Sequence, residues 1–155
     1  MGKRSVLFVC LGNTCRSPMA EAIFKEMADS KLWECDSAAL APWQLGNGMD
    51  PRSIAVMDKH GLTRTGHIAR QMHLSDFNKF DFIFGMDGYN MELLEGNKPP
   101  KASCKIHLLG DFDPQGERII KDPFCDWDNR SGMFERCYQQ CFRSIKAFLE
   151  QQKPA

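Results

Sequence analysis

The 155-residue chain lacks any apolar run long enough to cross a membrane. Its longest, residues 6–11, is far short of the roughly 20 residues that a bilayer helix requires. It also lacks net charge, since 20 Lys and Arg balance 20 Asp and Glu, and this removes any overall attraction to nucleic acids or acidic membranes. Residues 12–14, after the apolar run, lack the small-residue cleavage pattern of a signal peptide. We therefore expect a cytoplasmic protein without nucleic-acid or membrane partners.

The chain also lacks a C-x-x-C pair and any Cys/His cluster with zinc-finger spacing, which argues against a structural zinc site. Its seven cysteines are an odd number, and a secreted disulfide scaffold would favour an even one. We interpret four of them as small buried apolar residues in a reducing compartment, namely Cys35, Cys104, Cys137 and Cys141. We expect no metal and no cofactor.

Length and composition fit one domain that covers residues 1–155. Strand-like and helix-like segments alternate along the chain. The patterns predict strands in residues 5–9, 33–39, 80–86 and 106–109, and helices in residues 19–28, 51–60, 88–94 and 131–151, with a loop-like stretch over residues 110–129. This alternation favours a parallel sheet covered by helices on both faces. Ligands of such sheets bind at the carboxyl ends of the strands, which draws attention to the loop after the first strand.

That loop, residues 10–17, reads C-L-G-N-T-C-R-S and is typical of a phosphate-binding loop. A tight loop that enters a helix points backbone N–H groups inward, and the helix N-terminus adds partial positive charge. Gly12 is expected to supply a backbone conformation closed to other residues, and Asn13 tolerates the left-handed region. Arg16 can bind two phosphate oxygens with its planar guanidinium.

A nucleophile stands at the first position of the loop. The positive field of the helix N-terminus and the nearby Arg16 favours the thiolate of Cys10, which would lie beneath a bound phosphoryl group, placed for in-line attack. Ser17 followed by Pro18 is a typical helix start, with Ser17 as N-cap. Neither a G-x-x-x-x-G-K-[ST] loop nor a G-x-G-x-x-G loop is present, so nucleotide binding of either kind is not indicated.

The sequence resembles the low-molecular-weight protein tyrosine phosphatases. The similarity lies in V-L-F-V-C-L-G-N-T-C-R-S-P-M-A-E at residues 6–21 and in Asp122-Pro123-Phe124, with further matches at residues 36–38, 50–52, 66–71, 86–87 and 138–141. The resemblance implies an α/β three-layer sandwich: a four-stranded parallel sheet flanked by helices on both faces, with the phosphate-binding loop after the first strand. It implies hydrolysis of phosphotyrosine-containing proteins and acid phosphatase activity on aryl phosphates, with phosphate, sulfate or vanadate as active-site ligands.

The resemblance also assigns catalytic roles. Cys10 would form a phosphocysteine, Arg16 would bind the phosphate and stabilise the charge of transfer, and Asp122 would protonate the leaving oxygen. Asp122 would then act as base on the hydrolytic water, as microscopic reversibility requires. The phosphate-binding loop would comprise Leu11, Gly12, Asn13, Thr14, Cys15, Arg16 and Ser17.

The remaining implied residues support the loop or form the rim of the cleft. Ser17 has a second candidate role, which the resemblance implies: its hydroxyl would donate a hydrogen bond to the thiolate. Asn13, Ser37 and His67 would fix the loop through hydrogen bonds. The substrate rim would be formed by Leu11, Trp43, Phe124 and Cys125, the last at a position where the family often has a second aromatic residue.

Rival functions on the same scaffold remain open. The resemblance implies that bacterial phosphoarginine phosphatases carry threonine at the position of Thr14, whereas phosphotyrosine enzymes often carry a branched aliphatic residue there. Trp43 and the eukaryote-like C-terminal helix favour phosphotyrosine. A thioredoxin-coupled arsenate reductase would need two resolving cysteines around residues 80–90, but none lies between Cys35 and Cys104. A non-catalytic phosphate-binding module is disfavoured because Cys10 and Asp122 are both present.

Overall fold

A computed structural model of the chain describes residues 2–62, 66–128 and 131–154. A four-stranded parallel sheet has the order β2-β1-β3-β4. Its strands are β1 (Arg4–Cys10), β2 (Trp33–Ala39), β3 (Phe82–Gly85) and β4 (Lys105–Leu108). The α-helices are α1 (Arg16–Met27), α2 (Pro51–Lys59), α3 (Asp76–Lys79), α4 (Gly88–Asn97) and α5 (Met133–Gln152).

The central strand β1 shows why the sheet is covered on both faces. Its residues after Arg4 are all buried, and its side chains alternate between two apolar clusters. Val6 and Phe8 belong to a cluster that includes residues of α1, α2 and α5, whereas Leu7 and Val9 pack with residues of α3 and α4. The predicted three-layer α/β sandwich is confirmed.

Helix α5 is the amphipathic element that the sequence predicted most clearly. Its buried stripe includes Phe134, Cys137, Cys141, Ile145 and Phe148. Phe148 makes edge contacts with rings of β3, at centroid distances of 5.0 Å. Across the described ranges, no helix is long and apolar enough to cross a membrane.

Several predicted boundaries differ from the structure. Helix α1 begins at Arg16 rather than near residue 19, so Ser17 lies inside the first turn and is not the N-cap, which is Cys15. Strand β3 is shorter than the predicted 80–86, β4 begins at Lys105 rather than at residue 106, and α4 continues to Asn97. The predicted strand 33–39 is confirmed as β2.

Three short elements were not predicted. Helix α3 has four residues, too few to show a period, and two 3₁₀ turns, Leu109–Phe112 and Pro123–Cys125, lie in the stretch that was predicted as loop. Asn129, at the end of that predicted loop, lies outside the described residues.

Close backbone contacts bring residues 120–122 to the carboxyl end of the sheet. A Cβ atom on Gly110 would lie 2.2 Å from the carbonyl oxygen of Arg118, so only glycine permits this approach. Ile120 then donates its N–H to the carbonyl of Met86, just after β3, at 2.9 Å. The segment before Asp122 is thereby fixed beside the end of β3.

Candidate active site

The loop between β1 and α1 forms the floor of a cleft at the carboxyl end of the sheet. The cleft has a volume of about 280 Å³. It is lined by Cys10, Leu11, Gly12, Thr14, Cys15, Arg16, Trp43, Gln44, Asp122, Phe124 and Cys125. The three predicted catalytic residues and the four predicted rim residues therefore meet in one cavity.

The sulfur of Cys10 lies at the bottom of the loop and is surrounded by hydrogen-bond donors. The backbone N–H groups of Asn13 and Ser17 point at it, with nitrogen–sulfur distances of 3.3 and 3.4 Å. The Ser17 hydroxyl oxygen lies 2.9 Å from the sulfur. Because the residue is buried, these donors act on the sulfur with little competition from water.

The direction of the Ser17 hydrogen bond follows from its neighbours. The Asn13 side-chain amide donates to the Ser17 hydroxyl oxygen at 2.8 Å, so that oxygen already acts as an acceptor. Its own proton is then available for donation to Cys10 Sγ, 2.9 Å away. Of the two predicted roles of Ser17, the N-cap is wrong, and the geometry supports the donor to sulfur.

Asn13 holds the loop in an unusual backbone conformation. Its φ is +58°, in the left-handed region that the sequence predicted it would tolerate. The expectation for Gly12 is wrong, because its φ is not positive. A Cβ atom there would lie 3.1 Å from Gln44 Cγ, so glycine at this position allows close approach of the Gln44 side chain.

A buried hydrogen-bond network fixes Asn13. Its amide also donates to the Ser37 hydroxyl oxygen at 2.9 Å, and Ser37 in turn donates to a carboxylate oxygen of Glu21 at 2.6 Å. His67 Nε2 donates to the Asn13 carbonyl at 2.7 Å, and Arg70 N–H donates to the Asn13 side-chain oxygen at 3.1 Å. The predicted set of Asn13, Ser37 and His67 is brought together, and Glu21 is an additional member.

Arg16 is fully buried and is held in place on the far side of the cleft floor. Its Nη1 lies 2.6 Å from a carboxylate oxygen of Asp87 and donates to the Ile120 carbonyl at 2.9 Å. Burial opposes the charged guanidinium, but Cys10, Asp122 and Asp87 outweigh it and raise the Arg16 pKa. The side chain therefore presents a permanent positive charge to the cleft.

The carboxylate of Asp87 makes two contacts, and the sequence analysis predicted neither of them. One carboxylate oxygen accepts from Asn90 N–H at 2.8 Å and caps α4, while the other binds Arg16. The guanidinium is thus fixed to the start of a helix. The available signals were the match at residues 86–87 and the position of Asp87 directly after the predicted strand 80–86.

Asp122 lies at the edge of the cleft, opposite Arg16. Its Oδ2 is 3.7 Å from Arg16 Nη2, and its Oδ1 accepts from Phe124 N–H at 3.1 Å. The side chain is 43% exposed, so it is accessible to water and to a group bound in the cleft. Pro123 follows and restricts the backbone next to the carboxylate.

The rim includes two aromatic side chains. Trp43 is 70% exposed, and Phe124 and Cys125 line the same cleft. Trp127, which is 74% exposed, makes an edge contact with Phe124 at 5.4 Å between ring centroids. The sequence analysis did not single out Trp127, and the available signal was its closeness in sequence to Asp122-Pro123-Phe124.

Thr14 and Cys15 are buried residues of the phosphate-binding loop. The hydroxyl oxygen of Thr14 lies 3.9 Å from the sulfur of Cys15, and both residues line the cleft. Burial raises the pKa of Cys15, and the nearby carboxylate of Asp50 raises it further. Cys15 is therefore a protonated thiol at neutral pH.

Within the described parts of the chain, no group of three or more His, Cys, Asp or Glu side chains is arranged to hold a metal ion. The residues present form a compact cradle of backbone N–H groups and one guanidinium, with the Cys10 sulfur at its base and the Asp122 carboxyl group at its rim. Such a cradle is suited to a tetrahedral oxyanion and to transfer of its central atom.

Comparison with known proteins agrees with this arrangement. Residues 5–154 match the family model described as low molecular weight phosphotyrosine protein phosphatase. The mouse protein of that name is 47% identical over 156 residues, which covers 97% of this chain and 96% of the mouse protein.

Two solved structures have a similar fold. A protein tyrosine phosphatase from Entamoeba histolytica, with Hepes in its active site, superposes with a TM-score of 0.89 at 30% identity, covering 96% of each chain. A Drosophila arginine phosphatase superposes with a TM-score of 0.86 at 39% identity, covering 96% of this chain and 98% of that chain. With this fold, this cleft and a match along nearly its whole length, the chain belongs to the low molecular weight phosphotyrosine protein phosphatase family, a family of hydrolases.

Proposed function

We propose that the protein hydrolyses phosphotyrosine in proteins through a phosphocysteine on Cys10, with Asp122 as general acid and base. The observation that carries this proposal is the convergence of three donors on the Cys10 sulfur within a cleft that also contains Arg16 and Asp122. In this scheme the loop holds three phosphate oxygens, and the fourth, esterified oxygen faces the cleft mouth.

In the first half of the reaction, the Cys10 thiolate attacks phosphorus and the bond to the phenolic oxygen breaks. Asp122, in its protonated form, gives its proton to that oxygen, and tyrosine leaves neutral. Arg16 and the loop N–H groups stabilise the charge on the phosphoryl oxygens during transfer.

In the second half, a water molecule attacks the phosphocysteine. The Asp122 carboxylate takes a proton from the water, and the sulfur leaves as a thiolate. The Ser17 hydroxyl donates to that sulfur and stabilises it as a leaving group. Inorganic phosphate is released and both catalytic groups return to their starting forms.

One assay tests the substrate class directly. Phosphate release is measured from phosphotyrosine and phosphoarginine peptides side by side, without added metal. We expect the higher kcat/KM on phosphotyrosine, because Trp43 and Phe124 border the cleft and can contact a flat apolar ring. A higher kcat/KM on phosphoarginine would overturn the proposal.

The same cradle should bind simple tetrahedral anions. We propose phosphate, sulfate and vanadate as competitive ligands of the loop. The Entamoeba histolytica phosphatase holds Hepes, a sulfonate, in its active site, which supports this class of ligand.

Hydrolysis of phosphoarginine is the second candidate function. Thr14 places a hydroxyl at the cleft wall, where it can orient water, and the similar Drosophila structure is an arginine phosphatase. Aromatic rims also stack on guanidinium groups, so the rim supports both substrates. We propose phosphoarginine as a weaker substrate of the same site.

Replacing Thr14 with isoleucine separates the two activities. We expect phosphoarginine hydrolysis to fall roughly 10- to 100-fold, the range that loss of reactant positioning can produce. Phosphotyrosine hydrolysis should stay nearly unchanged. Steady-state rates on both peptides check this, and Thr14→Ser, which keeps the hydroxyl, is the matched control. Equal losses on both substrates would show that Thr14 only supports the loop.

Because Cys10 and Cys15 stand in the same loop, we predict that oxidation of Cys10 is reversible. Peroxide would convert the Cys10 thiolate to a sulfenic acid, and the Cys15 thiol would then form a disulfide with it, releasing water. Recovery by a dithiol should be complete in the wild-type protein and lost in Cys15→Ser. Because the Cys15 pKa is raised, disulfide formation should accelerate as pH rises. Mass spectrometry that finds no Cys10–Cys15 linkage after oxidation would contradict this prediction.

We also propose that the protein is cytoplasmic. All seven cysteines are free thiols, including several that are buried, and this supports a reducing compartment.

A further inference from the structure

The general-acid candidate belongs to a short segment that is attached at its far end. This segment, the acid loop, comprises residues 122–126. The buried carboxylate of Asp126 accepts from the backbone N–H groups of Ser131 and Met133, both at 3.3 Å, at the start of α5. These bonds fix the far end of the acid loop, while its near end follows Ile120, whose N–H donates to the Met86 carbonyl. Asp122 lies between these two attachments and is 43% exposed.

Arg52, in the first turn of α2, adds contacts to the acid loop itself. Its Nη1 donates to the Asp126 carbonyl at 2.8 Å. Its guanidinium lies 5.6 Å from the ring centroid of Phe124 and 4.6 Å from that of Phe134, within the range of cation–π attraction. One side chain thus holds the backbone and the aromatic ring of the acid loop against the start of α5.

Arg52 is itself tied to the phosphate-binding loop through Asp50. Its Nε and Nη2 donate to the two carboxylate oxygens of Asp50 at 3.0 and 2.8 Å, a bidentate pair. The Asp50 N–H in turn donates to the Thr14 carbonyl at 2.9 Å. A continuous path of contacts therefore joins the loop that holds phosphate to the loop that holds the acid.

We propose that Arg52 is a positioning residue that holds Asp122 at the distance from the phosphate-binding loop that proton transfer requires. This inference deepens the proposed function, on which it rests, because it gives Asp122 the role of general acid. Arg52 does not line the cleft and acts only through Phe124, Asp126 and Asp50.

The contacts also explain why arginine stands at this position. Two of its nitrogens bind the Asp50 carboxylate and the third donates to the Asp126 carbonyl, while the guanidinium carbon lies 4.6 Å from the ring centroid of Phe134. A lysine ammonium can replace the charge beside Asp50 but cannot form the bidentate pair and the carbonyl bond in the same geometry.

The test compares Arg52→Gln with Arg143→Gln. Arg143 is a matched control, because it also forms a bidentate pair, with Asp113 at 2.9 Å for both bonds, and is 20% exposed against 21% for Arg52. Arg143 does not contact the acid loop. Both variants lose a similar ion pair. An effect that the two variants share therefore reports a change in the stability of the whole protein and not a change specific to the acid loop.

Two measurements are made on each purified full-length variant. Amide hydrogen exchange should speed up in residues 122–126 of Arg52→Gln and not in those of Arg143→Gln, because local opening follows lost contacts. Rates on aryl phosphates should fall about 10- to 100-fold for poor leaving groups and change little for good ones, a part of the ~10²–10⁴-fold that general acid catalysis contributes. Vanadate affinity should be nearly unchanged, and Arg52→Lys should recover part of the loss.

The outcomes separate the inference from the proposed function. If Arg52→Gln and Arg143→Gln behave alike in exchange and in leaving-group dependence, the positioning role is wrong. In the Asp122→Ala background, Arg52→Gln should add no further leaving-group-dependent loss, and an added loss would also overturn the role. If Asp122→Ala alone shows no leaving-group dependence, the proposed acid fails, and faster exchange in the Arg52→Gln acid loop would still support the structural link.

Discussion

Replacing Cys10 with serine should abolish turnover while leaving the binding of phosphate or vanadate measurable. The Cys10 sulfur is the atom on which two backbone N–H groups and the Ser17 hydroxyl converge. A serine hydroxyl keeps the size and hydrogen bonding of the site but is a far weaker nucleophile at neutral pH, since it stays protonated. Loss of a nucleophile that acts as part of a unit costs roughly 10⁶-fold in a comparable hydrolase.

The measurements are single-turnover phosphate release and vanadate titration. Cys104→Ser is the control, because Cys104 is also buried but belongs to the apolar cluster on the opposite face of the sheet. Trapping a phosphorylated enzyme by rapid acid quench should place the phosphate on residue 10 in the wild type. Residual turnover of Cys10→Ser above about one thousandth of wild type would refute the nucleophile assignment, given the ~10⁶-fold expectation.

Asp122→Ala should slow the hydrolysis of substrates with poor leaving groups by ~10²–10⁴-fold, the usual contribution of general acid–base catalysis. Substrates with good leaving groups need little protonation and should be affected far less. Asp122 Oδ2 lies only 3.7 Å from Arg16 Nη2, so the carboxyl group faces the position of the phosphoryl oxygens. A series of aryl phosphates of graded phenol pKa measures the difference.

The control for Asp122→Ala is Asp111→Ala, which removes an exposed carboxylate that pairs with Arg118 outside the cleft. It should leave the leaving-group dependence unchanged. A uniform loss for Asp122→Ala across the whole series would mean that Asp122 is structural.

Much of the fold was predictable because it follows from local patterns. An apolar run predicted β1, and apolar residues spaced by three and four predicted α5. Such patterns mark the side chains that become buried, and both elements are present. The start of α1 was placed wrongly, since the Ser17-Pro18 signal is a statistical preference for helix starts. The tight loop instead continues helical geometry back to Arg16, where Ser17 is used to bind sulfur.

The site was predictable only where its residues are close in sequence or carried by the family resemblance. Cys10, Asn13 and Arg16 stand in one loop, whereas Asp87 and Arg52 reach the site across long sequence separations. Their roles depend on which strand ends and helix starts lie close together in the folded chain. No local sequence pattern predicts which of them do. Glu21 was in the matched segment, but its contact with Ser37 needs the fold.

The hydrogen bonds around Asn13 bear on inhibition by the product, inorganic phosphate. The left-handed Asn13 is held by protein contacts on its side chain and its carbonyl, so the loop is shaped for a tetrahedral anion in advance of binding. An anion that enters such a loop does not have to order it, and little affinity is lost to conformational entropy. Inorganic phosphate, which carries the same oxygens as the substrate group, benefits from this as much as the substrate does. We therefore expect the rigidity of the loop to make the rate of dephosphorylation sensitive to the ambient phosphate concentration.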